Sequence, residues 1–296
     1  MWGVVPVTGT LAAADGTPLH FEARGSGPPL YVCHGGPEAT YSYLANALEP
    51  LAQRFTLVYH DYRGCGRSGR AAPESYCFAQ LADDLDALRA HLGHERVVVL
   101  AHSLGGFVAL HYALRHGPRL QGLVLVATTP TGSAGRLWWP ALRALGPRRA
   151  VRLGAAAAGY ALGWAWRPGH PGSRRARYRV LALLQEGRED RREAVQAAEH
   201  AAAVASDNAP YLEAEAYRTD LTPDLGHIRC PVLAVCGSRD AVFCAALALY
   251  RRHLPSSAVV VLPGVGHHPA LEEPEAFLEA VDGFLRDVWR GAGGVD

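Results

Sequence analysis

The residues best placed to do chemistry lie in Ala101-His102-Ser103-Leu104-Gly105-Gly106, between an apolar run (Val97 to Leu100) and a helix-like stretch from Phe107 to Arg115. Such an order reads as a strand, a tight turn with a serine at its apex, and a helix. Small residues two before and two after the serine let strand and helix approach closely while the serine holds a strained backbone conformation. The turn lifts the hydroxyl over a helix N-terminus, where unpaired N–H groups and the helix dipole favour negative charge. A serine held this way is built to attack an electrophile. It still needs a base to take its proton and an acid to orient that base.

The motif resembles the nucleophile elbow of the α/β-hydrolases, Gly-x-Ser-x-Gly, with Ala101 in place of the first glycine. The resemblance implies a chain order of serine, then aspartate or glutamate, then histidine, each at the end of a later strand. Pro231 to Cys236 reads as a buried strand running into Gly237-Ser238-Arg239-Asp240, so Asp240 is the expected acid. Ala258 to Leu262 reads as another strand, followed by Pro263-Gly264-Val265-Gly266-His267-His268-Pro269. The Gly-x-Gly-His pattern matches the family's histidine position at His267, with His268 the competing base. The expected catalytic residues are therefore Ser103, Asp240 and His267. His267 would take the proton of Ser103 and pass it to the leaving group, while Asp240 fixes the imidazole tautomer.

Acyl transfer also needs donors for the developing oxyanion. Leu30 to Cys33 is a short strand running into His34-Gly35-Gly36-Pro37, which resembles the family's His-Gly loop after the third strand. By that resemblance the oxyanion donors are the backbone N–H groups of Gly36 and Leu104. Pro37 has no N–H to give, and His34 reads as a structural hydrogen-bonding residue. His34 to Pro37 and the run Asp61-Tyr62-Arg63-Gly64-Cys65-Gly66-Arg67-Ser68 also resemble proline iminopeptidases, a branch of the same superfamily. The chain departs from that branch at Glu38, where the family has glycine, and at Leu104, where it typically has tryptophan. Exopeptidases of the branch hold a substrate ammonium with cap glutamates, which makes Glu213 and Glu215 the candidates here.

Those loops must be positioned by a regular scaffold. A hairpin is expected from Val7 to Ala13 and Pro18 to Arg24, with its turn at Asp15-Gly16. Further expectations are a helix from Tyr41 to Gln53, a strand from Phe55 to His60, a helix from Phe78 to Leu92 and a strand from Leu123 to Ala127. A last helix runs from Pro274 to about Trp289. Strands alternating with helices imply a mostly parallel sheet covered on both faces, the α/β class and the α/β-hydrolase fold. The alternation stops at Thr128 and resumes at Cys230, and the sequence between is helical in character. The expected division is a hydrolase core of residues 1–130 and 226–296, with a helical cap of residues 131–225 inserted after the sixth strand.

The cap is split by charge. Between Thr131 and Gln185 every charged residue is an arginine, from Arg136 to Arg179, whereas Glu186 to Asp224 carries many acids. Three readings stay open: two helical layers paired by salt bridges, a basic surface for an anionic substrate or acidic carrier, or docking on lipid. The last draws on Trp138, Trp139, Trp164 and Trp166, which share the basic stretch. Trp138 and Trp139 join Glu213 and Glu215 as candidate substrate-binding residues.

At 296 residues, 49% hydrophobic and 19% charged, the chain fits one large globular α/β domain with an insertion. A net charge of +1 argues against general nucleic-acid binding. Six cysteines lack metal-ligand spacing, and no phosphate-cradling loop occurs, so no metal and no cofactor are expected. No basic-then-apolar leader and no membrane-length apolar stretch stand out, which gives a cytoplasmic, reduced expectation. The function expected is a serine hydrolase acting on an ester, lactone, thioester or amide of a small molecule or peptide. The rival is a non-hydrolytic use of the same fold, a cyclase, lyase or ligand receptor.

Overall fold

The longest apolar runs form the middle of one sheet, because strands paired in parallel are covered on both faces and must be apolar on both. The computed structural model describes residues 7–133, 141, 149–155, 158, 183, 185, 187–254 and 256–291. Its strands are β1 (Val7–Ala12), β2 (Pro18–Arg24), β3 (Pro29–Cys33), β4 (Thr56–His60), β5 (Val97–His102), β6 (Leu120–Val126), β7 (Val232–Gly237) and β8 (Ser257–Leu262). They form one 8-stranded sheet in the order β1-β2-β4-β3-β5-β6-β7-β8. The pairs β1–β2 and β2–β4 are antiparallel and all others are parallel. This is the α/β-hydrolase fold. Every residue of β5, β6 and β7 is buried.

Side chains alternate across the sheet, and β5 shows what covers each face. Val97, Val99 and Ala101 pack with α2 (Phe78–His91) and α3 (Gly105–Arg115), while Val98 and Leu100 pack with α1 (Ser42–Leu48) and α8 (Pro274–Arg290). On α2, Leu81, Leu85 and Leu88 turn to the sheet at helical spacing. Burying each is worth about 1.5–3 kcal/mol. Further helices with both ends among the described residues are α4 (Arg192–Ala202), α5 (Ala209–Arg218), α6 (Ala241–His253) and the single turn α7 (Pro269–Glu272).

Boundaries differ from expectation where local chemistry intervenes. The helix expected to reach Gln53 ends at Leu48, and a 3-10 turn, Glu49–Gln53, replaces its end. Pro50 falls at that turn's start and has no N–H for an α-helical bond. Strand β6 begins at Leu120, because Leu120 pairs with Val97 one step before a register shift. Helix α6 was not anticipated, although Asp240 precedes its apolar run as an N-cap and accepts the Phe243 N–H at 3.4 Å.

Between β6 and β7 the described residues contain helices and no strand longer than an isolated bridge. This segment is sewn to the loops at the C-terminal ends of three strands. The Thr40 N–H donates to Ala202 O at 2.9 Å, Val204 N–H to Glu38 O at 3.0 Å, Asp207 N–H to Gly64 O at 2.8 Å and Leu221 N–H to Pro130 O at 2.8 Å. Trp138, Trp139, Trp164 and Trp166 lie outside the described residues, as does most of the basic stretch. Arg149, which is described, donates to Leu183 O at 2.8 Å and Arg239 O at 3.2 Å.

The Asp61–Ser68 loop is anchored by charge. The Arg63 guanidinium, fully buried, meets both Asp84 oxygens at 2.7 and 2.6 Å and Asp15 Oδ2 at 2.7 Å. The Ser68 hydroxyl donates to Asp61 O at 2.6 Å and accepts the His20 N–H at 2.9 Å. These residues of the run shared with iminopeptidases therefore hold the loop to the hairpin and α2. The cysteines are free thiols, and burial pushes those of Cys33, Cys65 and Cys230 up to about 12. Among the described residues no helix is long and apolar enough to cross a membrane.

Candidate active site

Ser103 follows the last residue of β5 and has φ +52°, a left-handed conformation that is costly for a residue with a Cβ. Hydrogen bonds hold it there. Its N–H donates to Val126 O at 3.0 Å, and its carbonyl accepts the Gly106 N–H at 3.0 Å. The glycines beyond it are required by space. A Cβ on Gly105 would lie 2.5 Å from Cys33 O and 2.6 Å from His34 O, and one on Gly106 would overlap the Thr128 hydroxyl. The strain is local and the packing around it leaves no room to relax.

Asp240 sits beyond the end of β7, fully buried, with its two oxygens committed to different partners. Oδ1 caps α6, and Oδ2 lies 2.6 Å from His267 Nδ1. His267, on the loop after β8, is 6% exposed and places Nε2 3.0 Å from Ser103 Oγ. A carboxylate only accepts, so Nδ1 carries the proton and Nε2 is free to receive one from the serine hydroxyl; this tautomer is assigned from the network. The Phe243 ring lies 4.8 Å from the imidazole and shields it.

The backbone around His267 is held as firmly as its ring, by a residue the sequence reading did not single out. Glu272, on α7 and only 3% exposed, accepts the Gly266 N–H at 2.8 Å, the His268 N–H at 3.1 Å and the Arg188 N–H at 2.8 Å. The His267 N–H donates to Gln185 O at 3.3 Å. One carboxylate thus brackets His267 and ties it to the segment between β6 and β7. A Cβ on Gly187 would overlap Glu272, so that approach requires glycine. Pro269 followed by an acid three residues later is a helix-start pattern, which was the available clue.

The other expected residues divide. Gly36 (φ +66°) and Leu104 line a cavity of about 1110 Å³ together with Ser103. Neither backbone N–H has an acceptor among the described residues. Leu104 is the N-cap of α3, so its N–H points out of the helix start beside Ser103. His34 is fully buried, donates from Nδ1 to Gly35 O at 3.1 Å and stacks on Tyr62 with ring centroids 4.0 Å apart. Burial pushes its pKa down, and it does not line the cavity. His268 faces Glu199, with Nε2 2.9 Å from Oε1.

Glu213 lines the cavity, but Glu215 does not. The Glu215 carboxylate accepts the Phe78 N–H at 2.9 Å, capping the start of α2, and burial raises its pKa. The cavity also carries Phe107, Val195, Val242 and Phe243, with Glu38, Glu199, Arg152, Arg188 and Arg192 among its charged residues. It exceeds the usual range for small-ligand sites. No cluster of His, Cys, Asp or Glu suited to a metal ion occurs among the described residues.

A strained serine between strand and helix, with an aspartate and a histidine at later strand ends of a mostly parallel sheet, is the α/β-hydrolase arrangement. The chain has the α/β-hydrolase fold, and the proteins it is similar to share that fold. Residues 28–149 match the family model for the alpha/beta hydrolase fold. The chain is 29% identical over 89% of its length, and 98% of the relative's, to a pimeloyl-[acyl-carrier protein] methyl ester esterase of Aeromonas hydrophila. It is 34% identical to a proline iminopeptidase of Pestalotiopsis fici over 35% of this chain and 37% of the relative. The crystal structure of a proline iminopeptidase-related protein of Thermus thermophilus superposes with TM-score 0.75 and 29% identity, covering 96% of this chain and 99% of that one. The matches to the first curated relatives span less than half of those proteins' own lengths.

Proposed function

We propose that this protein is a serine hydrolase that cleaves an ester, lactone, thioester or amide bond through an acyl-enzyme on Ser103. One observation carries the reading: Ser103 Oγ, the His267 ring and Asp240 Oδ2 form an unbroken hydrogen-bonded line, 3.0 Å and 2.6 Å per step. The Ser103 proton passes to His267 Nε2 as Oγ bonds to the substrate's carbonyl carbon. The imidazolium that forms is stabilised by the buried Asp240 carboxylate. The carbonyl oxygen, now negative, takes hydrogen bonds from the N–H groups of Gly36 and Leu104 at the α3 N-terminus. Collapse breaks the bond to the leaving group, which departs with the proton held on Nε2. Water then gives a proton to the same nitrogen, attacks the acyl carbon, and the acid leaves as the proton returns to Oγ.

In this reading residues 131–225 act as the cap that closes the cavity and limits water around the acyl chemistry. Of the two glutamates expected to hold a substrate ammonium, Glu213 is the one that lines the cavity, since Glu215 is committed to α2. An amine-bearing substrate accordingly belongs to the range to be tested, beside neutral esters.

The test is labelling with a fluorophosphonate, together with hydrolysis of a panel of p-nitrophenyl esters, lactones and prolyl amides by wild type and Ser103→Ala. A Ser103 adduct, and loss of at least about 10³-fold in rate in the variant, are expected. No adduct, or a variant as fast as wild type, overturns the reading and leaves the non-hydrolytic alternative. A prolyl-amide preference abolished by Glu213→Ala, and kept in Glu215→Ala, is the outcome that assigns the ammonium contact.

A further inference from the structure

Behind the proposed catalytic line runs a second chain of hydrogen bonds, made entirely of buried groups. The Gly35 N–H lies 2.7 Å from the Tyr43 oxygen, that oxygen lies 2.7 Å from His102 Nδ1, and His102 Nε2 lies 2.8 Å from the His267 carbonyl oxygen. Tyr43 is 6% and His102 2% exposed. The chain joins the loop carrying Gly36 to the loop carrying His267 by a route that does not pass through Ser103 Oγ.

Its direction follows from what each end can do. An amide N–H only donates, so Tyr43 Oη accepts from Gly35. A carbonyl only accepts, so His102 Nε2 carries a proton and donates to His267. Burial, together with the neighbouring His267 and His268, holds the His102 pKa well below its ordinary value. A neutral ring protonated on Nε2 has an acceptor at Nδ1, and the Tyr43 hydroxyl has one proton to give it. Each donor and each acceptor along the line is used, with one orientation available.

We propose that Tyr43 and His102 are positioning residues of the hydrolytic site, forming a one-way relay that fixes the oxyanion loop and the base loop relative to each other. The proposal rests on the serine-hydrolase reading above. Between them the two loops hold a donor for the oxyanion and the proton acceptor, so an error in their separation misplaces both at once. Space enforces the same spacing. A Cβ on Gly35 would lie 2.7 Å from Ser103 Cβ and 2.9 Å from His102 Nδ1. The rings of His102 and His267 lie 4.9 Å apart, so a shift of one is felt by the other. In so dry a setting a broken link strands its neighbours, and removal of either member disables the whole relay.

The test is a double-mutant cycle read by the second-order rate of Ser103 labelling with a fluorophosphonate, which needs no knowledge of the substrate. Tyr43→Phe and His102→Leu are each expected to slow labelling roughly 10–100-fold. The double variant should be no slower than the worse single within about threefold, because the relay works as a unit. Multiplicative losses, or a single variant within twofold of wild type, overturn the proposal.

Nitrogen-15 spectra of the histidines supply a readout independent of the variants' stability. Wild-type His102 should be neutral with its proton on Nε2, and Tyr43→Phe should shift its Nδ1 resonance. A proton on Nδ1 in wild type overturns the relay whatever the kinetics. Ser103→Ala run beside these separates the two levels. Loss of labelling there with an additive cycle removes the relay alone, whereas labelling that persists removes the hydrolytic reading and the relay with it.

Discussion

Ser103 and His267 face each other across 3.0 Å, yet they are held in place by unlike means. The serine turn is a local device. Its strained φ, its small neighbours and its carbonyl bond to Gly106 all come from residues adjacent in sequence, and only the Val126 carbonyl comes from a neighbouring strand. The histidine loop has one local support, Glu272, and takes the rest from residues distant in sequence. Its ring is oriented by Asp240, its carbonyl by His102, its own N–H by Gln185 and its flanking N–H groups by Glu272. A nucleophile can be stiff by itself. In the proposed mechanism His267 must move a proton in both directions, and residues from several separate elements stiffen it.

The largest expected effect strikes the ring. Asp240→Asn keeps the α6 cap but presents His267 with an amide, which favours the wrong tautomer, and kcat should fall about 10⁴-fold on the best ester. Steady-state kinetics check this, and a loss under tenfold would show that the ring is oriented by its surroundings without the charge. The next effect strikes the backbone of the same loop. Glu272→Gln leaves one oxygen for three N–H donors and turns an amide NH2 toward one of them. A fall in kcat of roughly 10–100-fold, with KM changed less, is expected. Equal losses in kcat and kcat/KM with an unaltered thermal midpoint would place the clamp in transition-state positioning; a lowered midpoint with kcat intact would make it a fold contact only.

The smallest effect lies away from both loops and serves as their control. Asp15 is held at a pKa of about 2, below its usual 3.8, chiefly by the hydrogen bond from Arg63. A carboxylate depressed in the folded state adds stability above its unfolded pKa and loses it as pH falls through the folded value. The advantage of wild type over Asp15→Asn should therefore be full at pH 6 and shrink between about pH 4 and 2. Urea midpoints across that range measure it, and since Asp15 is partly exposed the effect is modest. Ser103 labelling at pH 7 should be the same in both proteins. A labelling defect would show that the loop anchored by Arg63 reaches the site.

How much of this was legible depends on whether a feature is local. The serine turn could be read because strand, turn and helix are contiguous and each has its own residue pattern, and Asp240 and His267 stand at strand ends that the apolar runs mark. Glu213 and Glu215 show the opposite case. Residues two apart on a helix point about 200° apart, so they could not both face one ligand, but which of them looks into the cavity depends on how α5 docks. Glu272 carried a helix-start pattern and no mark of its long reach to Arg188. The bond between Arg63 and Asp84 joins a loop to the middle of α2, 21 residues further along the chain, and left no trace in either.

The chain by itself determined the class of fold and the order of its chemical groups, because hydrophobic runs, small turn residues and strand ends are properties of neighbours in sequence. Tertiary structure alone decided the second chain of buried bonds, the carboxylate bracketing His267 and which of two nearby glutamates faces the cavity. Those depend on which donors and acceptors are left without water when distant segments meet, and that is settled only once the sheet has closed around them.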